Sequence, residues 1–507
     1  MPNLGTMLKR CQSFDRGIQE RLKDIAIHMK VFNVKLALVL AIGVAFTSPR
    51  KLNSDDYDSL QRQAQQWIYA AQWWLSGPTE KATQNMHALQ IFCLLLLARQ
   101  VNGMGNSPSL SPASLLSVAM QMGLHRNSQL FPTLSHFEVE SRARLWATVV
   151  ELYLPSLLDN SMPTLADFEA VDAEAPSNIN DSDLTDGRVP KAPEAPLERT
   201  TDVSIQLLLL KSQNLRLQAI RTLSDVQLQT SYEMVVDLAN QLRSACTDVA
   251  EFFQSSASYL DPETAFHRKY IDMYLRRHIL LLHRPFMLQA QKDPRFYLSR
   301  KTCLESCMII ASYTDDLKLP FTEPDDFSNL MVHGSGHFRG GLSLDVIVTL
   351  AFELITQLQE DGPSRAPGQP SYDPARELAQ AARKPIIIRL EHIREQLFQI
   401  IALGNPSLKR SGITSALLAY IKALEAGGNA KAAFYDAIRE CMEKCSELLK
   451  DHLAAHTPQV REPTDRILAP ADDFEINFDT LDIDAFMDPL NLFSAPALDG
   501  DSASFRF

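Results

Sequence analysis

The sequence predicts an all-α protein, a multi-helical array of helix hairpins followed by a disordered acidic tail. Apolar residues recur at helical spacing through most of the first 457 positions, and no segment has the alternating pattern of a β-strand. The acidic side chains are concentrated at the carboxyl-terminal end, where the helical periodicity stops. These observations predict a large folded body followed by a polar terminal segment.

The first helices are predicted from apolar runs. Residues 31–46 are apolar apart from Asn33 and Lys35, and the run is shorter than the roughly 20 residues that a membrane-spanning helix requires. We interpret it as a buried core helix. Residues 60–75 place apolar side chains at the i, i+3, i+4, i+7 spacing of one buried face, and residues 86–101 are apolar on nearly every side.

Later helices are predicted from capping residues and from their apolar period. Ser111 and Pro112 form a helix start, because serine caps free N–H groups and proline fixes φ in the first turn. Gly123 is suited to end that helix. Further helices are predicted at 135–158, 201–224, 231–255, 262–283, 298–313, 342–359, 384–401, 413–426 and 431–455.

The domain boundaries are predicted from breaks in this pattern. Prolines interrupt residues 173–199, which are predicted as a surface loop, and residues 361–374, which belong to a linker. The predicted order is an N-terminal helical segment (1–30), a main helical domain (31–360), the linker (361–383), carboxyl-terminal helices that pack on the body (384–457) and the disordered tail (458–507).

The acidity of the chain belongs mainly to the tail. The net charge is −12, and residues 462–507 contribute −9 of it, with eleven acidic and two basic side chains. An acidic balance argues against a chain that binds nucleic acid or an anionic membrane over its whole surface. Seven cysteines with no secretory signal predict a reducing compartment.

No catalytic motif stands out in the sequence. It lacks a nucleophile elbow, a P-loop, a dinucleotide-binding fingerprint and a His-Glu-x-x-His pair. We therefore predict that the protein is not an enzyme, and we assign no catalytic residue, no metal ligand and no cofactor. An enzyme on a helical scaffold would require a nucleophile, a metal set or a cofactor loop, and no segment supplies one.

Paired histidines and cysteines were considered as metal ligands. His333 and His337 offer two nitrogens, but their glycine-rich segment provides no third ligand, so a structural loop is predicted. Two cysteine pairs lie at i, i+4 without the spacing of a zinc knuckle, and we predict that they face a core. These pairs are Cys303 with Cys307 and Cys441 with Cys445.

The tail interleaves acidic and bulky apolar side chains. Between residues 471 and 498 there is no basic residue. Mutual repulsion of the acids keeps the apolar side chains exposed, and this alternation is typical of activation domains. A solubilising tail, the alternative, has no need of the phenylalanines. The candidate anchors for a partner's groove are Phe474, Phe478, Leu481, Phe486, Leu490 and Phe493.

A series of segments, in order, resembles the middle homology region of fungal zinc-cluster transcription factors, also called the fungal-specific transcription factor domain. Together the segments cover about two thirds of the chain. They are LALVLAIGVAF (36–46), LQIFCLLLLARQ (89–100), SVAMQMGLHRNS (117–128), EVESRARLWATVVEL (138–152), PTLADFEAVDAEAPSNINDSDL (163–184), RRHILLLHRPF (276–286) and HGSGHFRGGLSLDVIVTLAFEL (333–354).

The resemblance implies an all-helical regulatory domain, a nuclear location and a role in transcription, such as activation of a gene cluster for secondary metabolism. The family's hallmark, six cysteines that hold two zinc ions, is absent from these 507 residues, in which Cys11 alone precedes Cys93. The resemblance therefore implies either a regulator that reaches DNA through a DNA-binding partner or a shortened form of a conventional factor. A non-transcriptional helical interaction scaffold is the alternative.

The composition of the tail and the resemblance together predict the partners. The tail would contact the transcription machinery or a co-activator, and the body would form a homodimer or a heterodimer. No membrane is implied. No cofactor is implied beyond the zinc of the missing cluster.

The motif residues are assigned scaffold roles. In the GLHR motif, Gly123 would end a helix, and His125 and Arg126 would bond carbonyl groups freed at its end. Arg142 or Arg144 would hold the acidic loop that follows, through charge-assisted hydrogen bonds. In the HRPF motif, proline would stop the helix and phenylalanine would fold back as an apolar staple. The full set is Gly123, Leu124, His125, Arg126, Arg142, Arg144, Leu145, Trp146, His283, Arg284, Pro285 and Phe286.

Overall fold

A computed structural model describes residues 31–47, 54–76, 85–104, 110–184, 199–224, 231–255, 261–314, 325–361, 374–404 and 407–456. Over these ranges it contains fourteen α-helices, several short 3-10 turns and no β-strand, which confirms the all-α class. The predicted N-terminal segment (1–30), the tail (458–507) and its six candidate anchors lie outside the described residues.

The helices are α1 (Val31–Val44), α2 (Ser54–Leu75), α3 (Met86–Val101), α4 (Pro112–Gln121), α5 (His136–Asp159), α6 (Ser204–Leu223), α7 (Tyr232–Ser255), α8 (Pro262–Gln289), α9 (Tyr297–Ser312), α10 (Asp326–His333), α11 (Leu344–Glu360), α12 (Pro374–Ala402), α13 (Leu408–Ala426) and α14 (Ala430–His456). The sequence predicted all of them except α10.

Capping residues explain several of the helix starts. The Ser111 side chain accepts a hydrogen bond from the Ser114 N–H at 3.2 Å, and Pro112 occupies the first turn of α4. At the start of α5, Ser135 and Glu138 form a capping box, in which each side chain bonds the other residue's backbone N–H. These contacts satisfy N–H groups that have no partner within the helix.

The described helices divide between two compact units. Unit 1 comprises the described residues up to 278 together with 325–339, and unit 2 comprises the described residues 279–314 and 340–456. Part of the unit 1 core is a cluster of buried residues at Ala45, Val101, Leu330 and Phe338. In unit 2, a buried cluster contains Phe398, Ile401, Cys441 and Cys445.

Helix α10 lies in a stretch for which the sequence predicted no helix. It has only eight residues, which is too short for a helical period to be recognised from the sequence, and seven of them are buried. Asp325 caps it, because its side chain accepts a hydrogen bond from the Ser328 N–H at 2.9 Å. The glycine-rich segment predicted as a loop therefore begins with the end of a helix.

The predicted linker is shorter than expected. Helix α12 begins at Pro374, so residues 374–383 are helical and the linker prediction for them is wrong. A proline in the first turn costs no intrahelical hydrogen bond, and Glu377 in that turn interacts favourably with the helix dipole. The prolines around position 370 therefore correctly predicted a break between two helices, but they did not predict where the second helix begins.

Helix α8 also runs further than expected. Pro285 was predicted to stop it, yet the helix continues to Gln289, so that prediction is wrong. Proline removes one N–H from the helix. The burial of Met287, two residues later, and of residues 279–282 nevertheless favours continuation of the helix past Pro285. Phe286 does not fold back. It packs against Phe296, with 5.2 Å between ring centroids.

One apolar stretch in the described part of the chain is long enough to cross a membrane. It runs over Gly336–Glu360, and 83% of its most apolar window is buried inside the protein. Helix α1 is apolar but shorter. Burial of this extent is typical of a core helix in a folded domain.

Candidate functional site

The GLHR motif lies at the end of α4. Gly123 has a φ of +71°, and its N–H donates to the Met120 carbonyl at 2.9 Å. The next N–H, of Leu124, donates to the Ala119 carbonyl at 3.1 Å. A Cβ added at Gly123 would lie 3.1 Å from Phe131 Cζ. The left-handed backbone and the close ring both favour glycine here.

Arg142, which lies on α5, binds a carbonyl group at the end of α4. Its Nη2 donates to the Met122 carbonyl at 3.0 Å, and its guanidinium lies 5.0 Å from the centre of the Phe131 ring. The sequence predicts that His125 and Arg126 bond the freed carbonyls, and His125 does make a hydrogen bond with the backbone of Met120. Arg126 instead pairs with Asp172 on the surface, with 3.3 Å between Arg126 Nε and Asp172 Oδ1.

The His125 ring packs against the buried face of α5. Its ring centroid is 6.2 Å from that of Trp146, which is buried, as is Leu145. Burial, with a smaller effect of Arg126, lowers the pKa of His125. A neutral imidazole suits this packing, since a charged ring would lose hydration.

Arg144 and Glu140 of α5 bind the acidic loop. Arg144 Nη2 donates to the Ile179 carbonyl at 3.0 Å, and the guanidinium also pairs with Glu140 and Asp181. Glu140, which is buried, accepts from the Ser177 N–H at 3.1 Å. The expected role in the acidic loop therefore belongs to Arg144 and not to Arg142.

The other end of the acidic loop binds the GLHR turn. The Asp172 N–H donates to the His125 carbonyl at 3.1 Å, and the Asn127 N–H donates to Asp172 Oδ1 at 3.1 Å. The Ser128 hydroxyl donates to Glu174 at 2.9 Å. Hydrogen bonds from helix α5 and from the GLHR turn thus fix a segment that has almost no regular secondary structure.

A fully buried arginine lies deeper in unit 1. Arg216 of α6 donates twice to Glu151 of α5, and it also donates to the Tyr274 hydroxyl at 3.2 Å. Burial lowers the pKa of Arg216, but Glu151 and Tyr274 together outweigh this effect through their charges and hydrogen bonds, and the pKa is raised. Sequence analysis missed this residue. The sequence signal that could have revealed it is a charged residue on the buried face of α6, one turn after Ser212 and one turn before Ile220.

A second buried network surrounds Asp159. Arg277 pairs with its carboxylate, and the His337 N–H donates to it at 3.1 Å, with the His337 ring nitrogen at 3.3 Å. Burial would raise the pKa of Asp159, but Arg277 and His337 outweigh it and hold the pKa well below its usual value. The carboxylate is therefore ionised near neutral pH.

His333 and His337 turn to different partners. His333 Nε2 lies 2.9 Å from the Tyr57 hydroxyl, whereas His337 faces Asp159. Burial lowers the pKa of His333 to about 4. In the ranges that the structure describes, no three histidine, cysteine or acidic side chains are grouped so as to hold a metal ion.

The HRPF motif lies in unit 2. His283 Nδ1 is 2.9 Å from the Ser299 hydroxyl, and Arg284 donates to Asp345 at 2.6 Å. These contacts join α8 to α9 and to α11. The motif therefore contributes interhelical contacts, which is a scaffold role, although by a geometry that the sequence did not predict.

Both cysteine pairs face the core of unit 2, as predicted. All four thiols are buried. The Cys441 and Cys445 sulfur atoms are 3.9 Å apart, and a hydrogen bond from Cys445 lowers the pKa of Cys441 to about 7. Burial raises the pKa of Cys303 and Cys307 instead.

Comparisons with known proteins decide the family. The chain is 49% identical over 440 residues to transcription factor opdR of Penicillium oxalicum, which covers 84% of this chain and 55% of that protein. It is 30% identical over 432 residues to transcription factor lepE of Aspergillus flavus, with 83% and 50% covered. The chain belongs to this family of fungal transcription factors.

More distant family members agree. The aspyridones cluster regulator apdR of Emericella nidulans is 27% identical over 439 residues, which cover 85% of this chain and 57% of that protein. Other family members are named Zn(2)-C6 fungal-type transcription factors, which confirms the resemblance recognised from the motifs. The chain spans about half the length of the family members it matches. No family model matches it, and no solved structure does.

Proposed function

We propose that this protein regulates transcription of a fungal metabolic gene cluster from within the nucleus. The observation that carries the proposal is the 49% identity over 440 residues to a transcription factor, together with a more distant relative named as a cluster regulator. The buried ion pairs of unit 1 support a scaffold role for the helical body, because each joins neighbouring helices. We propose no catalytic activity.

The proposed output is activation through the tail. Its candidate anchors, Phe474, Phe478, Leu481, Phe486, Leu490 and Phe493, would enter an apolar groove on a co-activator or on the transcription machinery. The eleven acids of residues 462–507 would keep these side chains in water until a partner binds them.

A reporter assay tests the proposed output. Residues 458–507 are fused to an unrelated DNA-binding domain, beside a matched variant in which the six anchors are alanine and every charge is kept. We expect several-fold activation by the first fusion and none by the second. Equal activity of both would indicate that the acids alone act, and silence of both would favour a non-transcriptional interaction scaffold.

We propose that the chain reaches its promoters through a DNA-binding partner. Residues 1–461 carry a net charge of only −3 (−12 minus the −9 of residues 462–507), and this supports indirect contact, because phosphate binding depends on clustered lysine and arginine. Chromatin immunoprecipitation with this chain should recover cluster promoters, whereas the purified chain should not retard the same DNA in a gel. Retardation by the purified chain at physiological salt would contradict indirect binding.

We propose that self-association uses the outer face of α1. Four apolar side chains on that face, Phe32, Leu36, Val39 and Leu40, are between 45% and 72% exposed. In the sequence, the spacing of Phe32, Leu36 and Val39 continues a heptad pattern that begins before α1. Sedimentation should show a dimer that Leu36→Glu dissociates and that the control Leu165→Glu, at another exposed leucine, leaves intact. The heptad positions are Ile18, Leu22, Ile25, Met29, Phe32, Leu36 and Val39, with Leu40 beside them.

A further inference from the structure

Helices α9 and α12 of unit 2 form a groove of about 370 Å³. Its floor is apolar, with Met308 contributed by α9 and with Ala381, Pro385 and Ile388 contributed by α12. The three α12 residues follow one another at spacings of four and three, so they form a single stripe along the helix. Ile388 is 38% exposed, which is unusual for an isoleucine in a helical body.

The rim of this groove is basic. Lys384 and Arg389 flank the apolar stripe, His392 continues it along α12, and no acidic side chain is among the described residues that line the groove. Arg389 is held in position, because its Nη1 donates to the Ala311 carbonyl at 3.1 Å. The groove therefore combines apolar area with fixed positive charge, which suits a ligand that is both acidic and apolar.

The chain itself contains such a ligand. Residues 471–498 carry bulky apolar side chains among acids and no base. The last described helix, α14, ends at His456 in the same unit as the groove. The residues between 456 and 471 can span up to about 50 Å when extended, whereas a unit of this size has a radius of gyration of about 15 Å.

We propose that the tail segment 471–498 docks in this groove of its own chain. Its phenylalanines would cover the apolar stripe, and its carboxylates would face Lys384. The inference rests on the proposed function, since docking would withhold the activation anchors until a transcription partner competes for them. A tethered segment has an effective concentration in the millimolar range, so even weak contacts suffice for docking.

Photo-crosslinking tests the docking directly. A benzophenone amino acid replaces Ile388 in the full chain, and mass spectrometry maps the products. We expect cross-links to residues 471–498 of the same molecule. The matched control carries the probe at Leu403, which is 37% exposed in the same helix region but does not line the groove, and it should give no tail cross-links. The proposal is overturned by cross-links from position 388 only to other proteins, only to a second isotopically labelled copy, or to none.

A charge reversal tests the role of the rim. Lys384→Glu in the probe-bearing chain should lower the yield of tail cross-links several-fold, and raising NaCl from 50 to 500 mM should do the same, because salt screens exposed charges. Lys450→Glu, at an exposed lysine outside the groove, should leave the yield unchanged. Equal yields for the two variants, with unchanged thermal midpoints, would overturn the assignment of the rim.

A reporter experiment separates this inference from the proposed function. With an unrelated DNA-binding domain fused to the whole chain, Lys384→Glu should raise transcription several-fold, and Lys450→Glu should not. If the isolated tail activates but no docking is seen, the proposed function stands and the inference fails. If the tail cross-links but is silent in isolation, docking stands and the proposed function fails.

Discussion

Arg216 and Glu151 form a two-pronged ion pair inside unit 1. Arg216 Nη1 lies 2.8 Å from Glu151 Oε2, and Nη2 lies 2.7 Å from Oε1. The arginine also donates to the Leu209 carbonyl at 2.6 Å, so its buried guanidinium has hydrogen bonds on several sides. Such bonds offset the cost of removing both charges from water, and the pair fixes α6 against α5.

Breaking this pair should be strongly destabilising. Arg216→Ala leaves the Glu151 carboxylate without its main partner, and we expect the free energy of unfolding to fall by about 3–5 kcal/mol. Urea denaturation measures the change. The double variant Arg216→Met/Glu151→Leu should lose less than Arg216→Ala. Arg221→Ala, which breaks a surface pair with Glu169, should cost about 1 kcal/mol or less.

Alanine at two glycines should have opposite effects. Gly123→Ala forces a side chain into a left-handed backbone beside Phe131, and we expect a loss of about 1–2 kcal/mol in unfolding free energy. Gly412→Ala lies within α13, where no atom is near the new Cβ, and it should gain about 0.5–1 kcal/mol. Thermal unfolding measures both, and a loss at both positions would contradict the difference in backbone conformation.

Pro285 should limit the stability of α8. It cannot donate to the Leu281 carbonyl, and Pro285→Ala restores that hydrogen bond, so we expect a gain of about 1–3 kcal/mol. Pro262→Ala, in the first turn of the same helix, should change stability little. Equal urea midpoints for Pro285→Ala and the parent chain would mean that a bend at this proline is needed for packing.

His333 should make the fold sensitive to acid. Its pKa is about 4 in the folded chain and about 6.5 when unfolded, so the unfolded state binds more protons between these values. The contribution of the neutral imidazole is present above pH 6.5 and is lost as the pH falls toward 4. This loss is on the order of 3 kcal/mol.

Urea unfolding at pH 7.5, 6 and 5 measures this dependence. His333→Gln keeps a polar partner for Tyr57 but does not titrate, so its stability should fall less steeply with pH than that of the parent chain. The exposed His87→Gln is the matched control and should keep the parent's slope. If the unfolding free energy of all three proteins falls equally steeply with pH, the acid sensitivity belongs to other groups, such as the buried His278.

The sequence predicted the helices well because most of them show their period. Helix α3 was predicted to the residue, and the Ser111 cap fixed the start of α4. Proline was the least reliable guide. Pro285 and Pro374 were both interpreted as breaks, but one lies inside a helix and the other begins one. Whether proline ends a helix depends on the burial that follows it, which only the tertiary structure provides.

The ion pairs were predicted less well than the helices. Arg144 was named as a partner of the acidic loop, but Arg142 and Arg126 were assigned to each other's targets. Residues two apart on a helix point to different sides, and the sequence does not say which side faces the loop. Arg216 and Asp159 were missed because their partners lie about 65 and 118 residues away in sequence.

The bonds that tie the acidic loop to α5 limit how this stretch can change in length over evolution. Glu140 holds the amide of Ser177, and Arg144 holds the carbonyl of Ile179 only two residues later. Removing or adding one residue between them would put one of the two groups on the wrong side of the chain. Insertions should therefore be tolerated before Asp172 or after Leu184, but not between Ser177 and Ile179.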